Sequence, residues 1–264
     1  MALSLKSVPP ARGAVWVREA FRLFGRRPLG FVGLFLAFLF AALLTLFVPL
    51  AGALLQMMLL PLLSLGFMVA ARSAAQGGPV QPGQFFEPLA ADPSRRMALL
   101  ALCLGYGVAA IGLMWFSDWV ADGKLIELQA LLSSGRALPH EIDALTADRG
   151  VFLGTIALLL GATALSVPFW HAPALVYWGR QSAGHALFSS TLAVWRAKGA
   201  FLVYGMTWTI LIAGFGLTTA VLLGLLGMPQ LAGVMALPAG LLFSTVFYVS
   251  LLFTFEDSFG ETPG

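Results

Sequence analysis

Six stretches of this chain contain no Asp, Glu, Lys or Arg and are each long enough to cross a bilayer: 30–49, 50–71, 97–117, 151–177, 200–226 and 231–255. A helical span needs roughly 20 apolar residues. In lipid only helices and closed barrels satisfy every backbone polar group, and barrel strands alternate in polarity over about ten residues. These runs do not alternate. The chain is 59% hydrophobic and 10% charged, whereas soluble domains carry about 25% charged residues, so the runs cannot all serve as one water-soluble core. The expected fold is an all-α polytopic membrane protein with six transmembrane helices, forming one integral domain over residues 1–264.

The N-terminal region differs from a secretory signal. Its basic segment is long, and the following apolar run exceeds the roughly 7–15 residues of a signal core. It reads as a first permanent span preceded by a cytoplasmic amphipathic segment, 1–29.

Basic residues set the orientation, because Lys and Arg accumulate on the cytoplasmic side. Twelve of the fifteen lie in segments that six spans would place together. They are Lys6, Arg12, Arg18, Arg22, Arg26 and Arg27 before the first span, Arg72, Arg95 and Arg96 after the second, and Arg180, Arg196 and Lys198 after the fourth. The opposite side keeps Lys124, Arg136 and Arg149, beside six acids: Asp118, Asp122, Glu127, Glu141, Asp143 and Asp148. Both termini are expected in the cytoplasm of a bacterium, with the protein in its inner membrane. The loop 118–150 is expected to be periplasmic and to carry short amphipathic helices in LIELQALLSSG and HEIDALTADRG. The net charge of +3 is therefore a gradient across the membrane. No nucleic-acid-binding module accompanies it, and nucleic acid is not an expected partner.

The segment WVREAFRLFGRRPLGF places Arg18, Arg22 and Arg26 at i, i+4 and i+8, with Arg27 adjacent. Trp16, Val17, Ala20, Phe21, Leu23 and Phe24 take the other side. A helix of this kind lies in the interface, rings in the acyl boundary and arginines among phosphates. Basic residues near anionic lipid contribute about 1 kcal/mol each. Topological anchoring, anionic-lipid recognition and a partner-protein contact all remain open for this helix. The order Gly, amphipathic stretch, basic pair, span returns at Gly184, and a related order begins at Pro82. The expected plan is three hairpins, each preceded by an amphipathic interfacial helix.

Chemistry is sparse. There is no HExxH, GxGxxG, Walker loop or CxxC, and the acids near His140 lack the surroundings of a metal site. No metal, cofactor or enzymatic activity is expected. Cys103, alone of its type, reads as a packing residue. Ala101, Gly105 and Ala109 form a ridge of small residues that suggests close helix packing. The conspicuous stretch is PFWHAPALVYWGRQ. Pro168 and Pro173 should break the fourth helix. Trp170, Tyr177 and Trp178 suit an interfacial belt, and a histidine at membrane depth is a candidate site. Trp170, His171, Tyr177 and Arg180 are thus candidates for contact with a lipid headgroup or ligand. The alternative is that His171 caps a carbonyl freed by proline.

The segment SVPFWHAPALVYWGRQSAGHALFSSTLAVWRAKGAFLVY resembles a pattern in uncharacterised bacterial six-span families, similar to the membrane segment preceding some glycerophosphodiester phosphodiesterases. Together with VPPARGAVWVREAFRLF it looks most like an uncharacterised beta-proteobacterial inner-membrane family. The resemblance implies a six-span fold and no phosphodiesterase activity, since the soluble catalytic domain is absent. The function expected is that of a non-catalytic accessory, scaffold or assembly protein. It would engage membrane lipids, anionic ones above all, and other inner-membrane proteins. The alternative is a permease or flippase-like protein for an apolar or amphipathic molecule.

Overall fold

The computed structural model describes residues 3–49, 51–90, 92–134, 138–228 and 230–261. Arg136 lies outside these. The architecture is all-α and polytopic, with six helices long and apolar enough to cross a membrane.

A short strand β1 (Leu3–Leu5) leads into α1 (Arg12–Arg26), and α2 (Pro28–Thr45) follows directly. Pro28 is the first residue of α2, where its missing N–H costs nothing. Helix α3 (Gly52–Ala75) returns across the membrane. Helix α4 (Pro93–Val120) opens on Asp92, whose carboxylate accepts from the Ser94 hydroxyl at 2.6 Å. Its far end turns through Asp122 and Gly123, both at positive φ. The loop helices α5 (Lys124–Ser133) and α6 (Pro139–Thr146) follow.

Helix α7 (Arg149–Phe169) is capped by Asp148, which accepts from Gly150 N at 2.7 Å. After a bend at Trp170 and His171 the fourth span continues as α8 (Ala172–Tyr177). Then come α9 (Ala183–Arg196), α10 (Lys198–Leu225), α11 (Leu231–Ser258) and strand β2 (Phe259–Glu261). β1 and β2 pair antiparallel, Leu3 opposite Glu261, so the two ends of the described chain lie side by side. No alternation in the sequence signals these strands.

Two expectations about the interfacial elements require correction. Helices α1 and α9 do precede spans, but the segment before α4 forms two 3-10 turns, Pro82–Phe85 and Glu87–Ala90. Pro79, Pro82, Pro88 and Pro93 remove a backbone donor every few residues, which prevents more than about a turn of helix. Most of the apolar face of α1 is also not in lipid. Trp16, Val17, Ala20 and Leu23 are buried in a protein core shared with α2, α3, α10 and α11. A Cβ at Gly13 would run into the backbone of Ala200 and Tyr204, so only glycine permits this approach of α1 to α10.

The ridge on α4 also differs. Ala101, Gly105 and Ala109 are exposed, and Gly105 has open space beside it. Gly107, two residues along, meets Leu54 and Met58 of α3 instead. Cys103 is buried. Span α10 is the least enclosed: beyond Trp208 most of its side chains are exposed, while Phe215 edges the ring of Phe243 on α11 at 5.4 Å.

Candidate functional site

The end of the molecule that carries β1 and β2 holds two sites suggested by sequence, and the structure treats them differently. The first is the arginine stripe of α1. Arg18, Arg22, Arg26 and Arg27 are all exposed. Arg27 donates to the Gly77 carbonyl at 2.8 Å. Arg18 and Arg22 form no salt bridge or hydrogen bond with any other described residue. They border a groove of about 440 Å³ between α1 and α10, completed by Ala14, Val17, Phe21, Thr207 and Leu211. Two cations therefore stand at the rim of a greasy trough.

The helix is held in this attitude by Asp257, near the end of α11. Arg12 donates through Nε and Nη2 to Asp257 at 2.5 and 3.0 Å, and Trp16 donates its indole N–H to the same carboxylate at 2.6 Å. Asp257 and, at 3.6 Å, Glu19 hold the Arg12 guanidinium pKa above its ordinary value, chiefly through the Asp257 bond. A buried indole N–H needs an acceptor, and the interface of a bilayer offers none in a fixed place. Asp257 therefore helps explain why the apolar face of α1 enters protein rather than lipid. Beside it, Glu256 faces Arg72 at 3.6 Å, and Arg72 lies 4.2 Å over the ring of Trp178. Sequence reading missed Asp257; the available signal was an acid pair closing an apolar span on the otherwise basic side.

The second site, Pro168 to Gln181, divides into an interior half and a surface half. His171 is fully buried and edges the rings of Phe201, Phe255 and Phe259. Its Nε2 lies 3.2 Å from the Thr254 hydroxyl, which also accepts from Trp170 Nε1 at 3.2 Å. The imidazole caps no carbonyl. The helix break is mended from α9 instead. The His171 backbone N–H donates to Ser190 Oγ at 3.0 Å, and Ser190 Oγ donates to the Val167 carbonyl at 3.0 Å. The hydroxyl stands where the bond from His171 N to Val167 O of a continuous helix would have been. Ser190 and Thr254 gave no signal in sequence.

In the surface half, Tyr177 donates its hydroxyl to Glu87 at 2.7 Å, and its carbonyl accepts from Arg95 at 3.4 Å. Arg180 is exposed in the turn after α8, at φ 51°. The structure thus brings Trp170 and His171 together around Thr254 and leaves Arg180 on the surface, apart from the enclosed imidazole.

No family model matches the chain, and no solved structure matches it. A probable inner membrane protein of Burkholderia thailandensis is 33% identical, over 99% of this chain and 96% of its own length. An alignment of this depth and coverage, together with the six apolar helices, shows that the chain belongs to the family of that probable inner membrane protein.

Proposed function

We propose that the protein is a non-catalytic inner-membrane accessory or scaffold protein that holds anionic phospholipid at the α1–α10 groove and presents its open fifth span to other membrane proteins. The observation that carries this reading is the placement of Arg18 and Arg22, without a partner among the described residues, over a trough of apolar side chains. A phospholipid offers the complement: a phosphate for the two guanidinium groups, which bind phosphate in fork geometry, and an acyl chain for the trough beneath. On this reading both termini are cytoplasmic. The β1–β2 pairing supports a common side for them, and the excess of basic residues supports the cytoplasmic one.

The non-catalytic reading is supported by the enclosure of His171, which is fully buried against Phe259, meets Thr254 through Nε2 and lines neither of the two larger cavities, although its Nδ1 has no partner among the described residues. A second reading, a permease or flippase-like protein, is favoured by a cavity of about 710 Å³ between α10 and α11.

The test is lipid retention. Protein extracted in mild detergent should carry phosphatidylglycerol or cardiolipin in excess of their membrane abundance. The double variant Arg18→Gln/Arg22→Gln should lose that excess while keeping its melting temperature. Lipid retained in membrane proportion by the unmodified protein would refute the reading.

A further inference from the structure

The cavity between α10 and α11 is bounded by Ile212, Phe215, Ala236, Gly240, Phe243 and other small or apolar residues. A second cavity, of about 180 Å³, lies among Leu60, Tyr106, Ser166, Trp170 and their neighbours. Phe247 and Tyr248 line both cavities, so the two adjoin at these consecutive residues of α11. Neither is lined by any Asp, Glu, Lys, Arg or His.

Hydroxyls are the recurring polar group. Ser64 and Ser166 give theirs to their own helices, to Pro61 O at 2.8 Å and Thr163 O at 2.7 Å. Those of Tyr106 and Tyr248 in the smaller cavity, and of Thr219 and Ser244 in the larger, form no hydrogen bond with any described residue. At membrane depth there is little water to satisfy them, and a polar group left unbonded in an apolar medium is costly. The phenol hydroxyls of Tyr106 and Tyr248, which share the smaller cavity, call for a partner with hydrogen-bonding atoms there. The lack of any cation in the lining argues against a phosphate or carboxylate, whose charge would be buried unpaired.

We propose that the paired cavities bind one uncharged amphiphile, a lipid with a hydroxyl or carbonyl head and a long apolar tail. The head lies in the smaller cavity against the hydroxyls of Tyr106 and Tyr248. The tail occupies the larger one between α10 and α11, where Ala236 and Gly240 leave room beside Phe215 and Phe243. This site is separate from the Arg18–Arg22 groove and selects the opposite headgroup character.

The experiment uses the full chain in nanodiscs of phosphatidylcholine, with dioleoylglycerol as the neutral probe and dioleoylphosphatidylglycerol as the charged one. Bound molecules per protein are counted by native mass spectrometry. The wild type should retain one dioleoylglycerol. Tyr106→Phe and Tyr248→Phe should each weaken its retention about fivefold, the effect of one ordinary hydrogen bond. Their melting temperatures without probe should stay at the wild-type value, since these hydroxyls bond no described residue. Ala239→Leu, which fills the outer cavity from a lining position, should abolish retention. Arg18→Gln/Arg22→Gln should lower phosphatidylglycerol binding and leave dioleoylglycerol unchanged, so the two sites fail separately. Wild-type protein that retains no dioleoylglycerol, or Tyr→Phe variants that bind it as wild type does, would overturn the proposal.

Discussion

Ser190 of α9 completes the backbone of a helix to which it does not belong, accepting from His171 N at 3.0 Å and donating to Val167 O at 3.0 Å. Its side chain is fully buried. Ser190→Ala should leave both backbone groups without a partner. The expected loss is about 1–3 kcal/mol, read as a lower melting temperature in detergent. Restoration by Ser190→Thr is expected where the added methyl fits. An unchanged melting temperature for Ser190→Ala would show that water or backbone movement mends the break.

Asp257 is the corresponding anchor for α1. Asp257→Ala should orphan the buried indole N–H of Trp16 and free Arg12, at a cost of about 1–3 kcal/mol. The loss should be local. Hydrogen exchange should accelerate over residues 12–26 while α3 and α4 stay protected. Uniform acceleration would mean that α1 is needed to hold the whole bundle.

Outside the membrane, Asp148 accepts from Lys124 Nζ at 2.5 Å and caps α7. The Lys124 bond first, then the Gly150 N–H, hold the Asp148 carboxyl below its usual range, while Asp148 raises the Lys124 ammonium. A depressed carboxylate stabilises the fold fully above its unfolded pKa and loses that contribution as pH falls through its folded value. A raised lysine contributes fully below its unfolded pKa and loses that contribution as pH rises through its folded one. The pair should therefore hold the 118–150 loop across neutral pH and release it at both extremes. Asp148→Asn should abolish the acid-side transition in loop proteolysis; an identical acid transition in the variant would assign it elsewhere.

Topology is tested by labelling in a Cys103→Ala background. A cysteine at Ser133, exposed in α5, should react with a membrane-impermeant thiol reagent added outside intact cells. One at Ser7, exposed beyond β1, should not. The reverse pattern would invert the orientation inferred from the basic residues.

The spans were legible because charge is excluded from lipid over a fixed length. The arginine stripe was legible for the same reason: Arg18, Arg22 and Arg26 follow the helical period. What receives the opposite face of α1 was not legible. A greasy face carries the same periodicity whether it meets acyl chains or protein, and the decision rests on Gly13 meeting Ala200 and on Asp257, over 240 residues away in sequence. The mending of the Pro168–Pro173 break by Ser190 and the placement of Tyr248 between two cavities are likewise tertiary facts. The exposed ridge of Ala101, Gly105 and Ala109 shows the converse: small residues at helical spacing permit close approach but do not say which neighbour makes it.

The most direct measurement of anionic-lipid engagement places a photo-activated benzophenone side chain at Leu211, in the trough below Arg18 and Arg22, and identifies the lipids cross-linked in native membranes. Phosphatidylglycerol and cardiolipin should be captured several-fold above their share of the membrane, and Arg18→Gln/Arg22→Gln should remove that preference. Capture in proportion to membrane composition, with or without the arginines, would contradict the account.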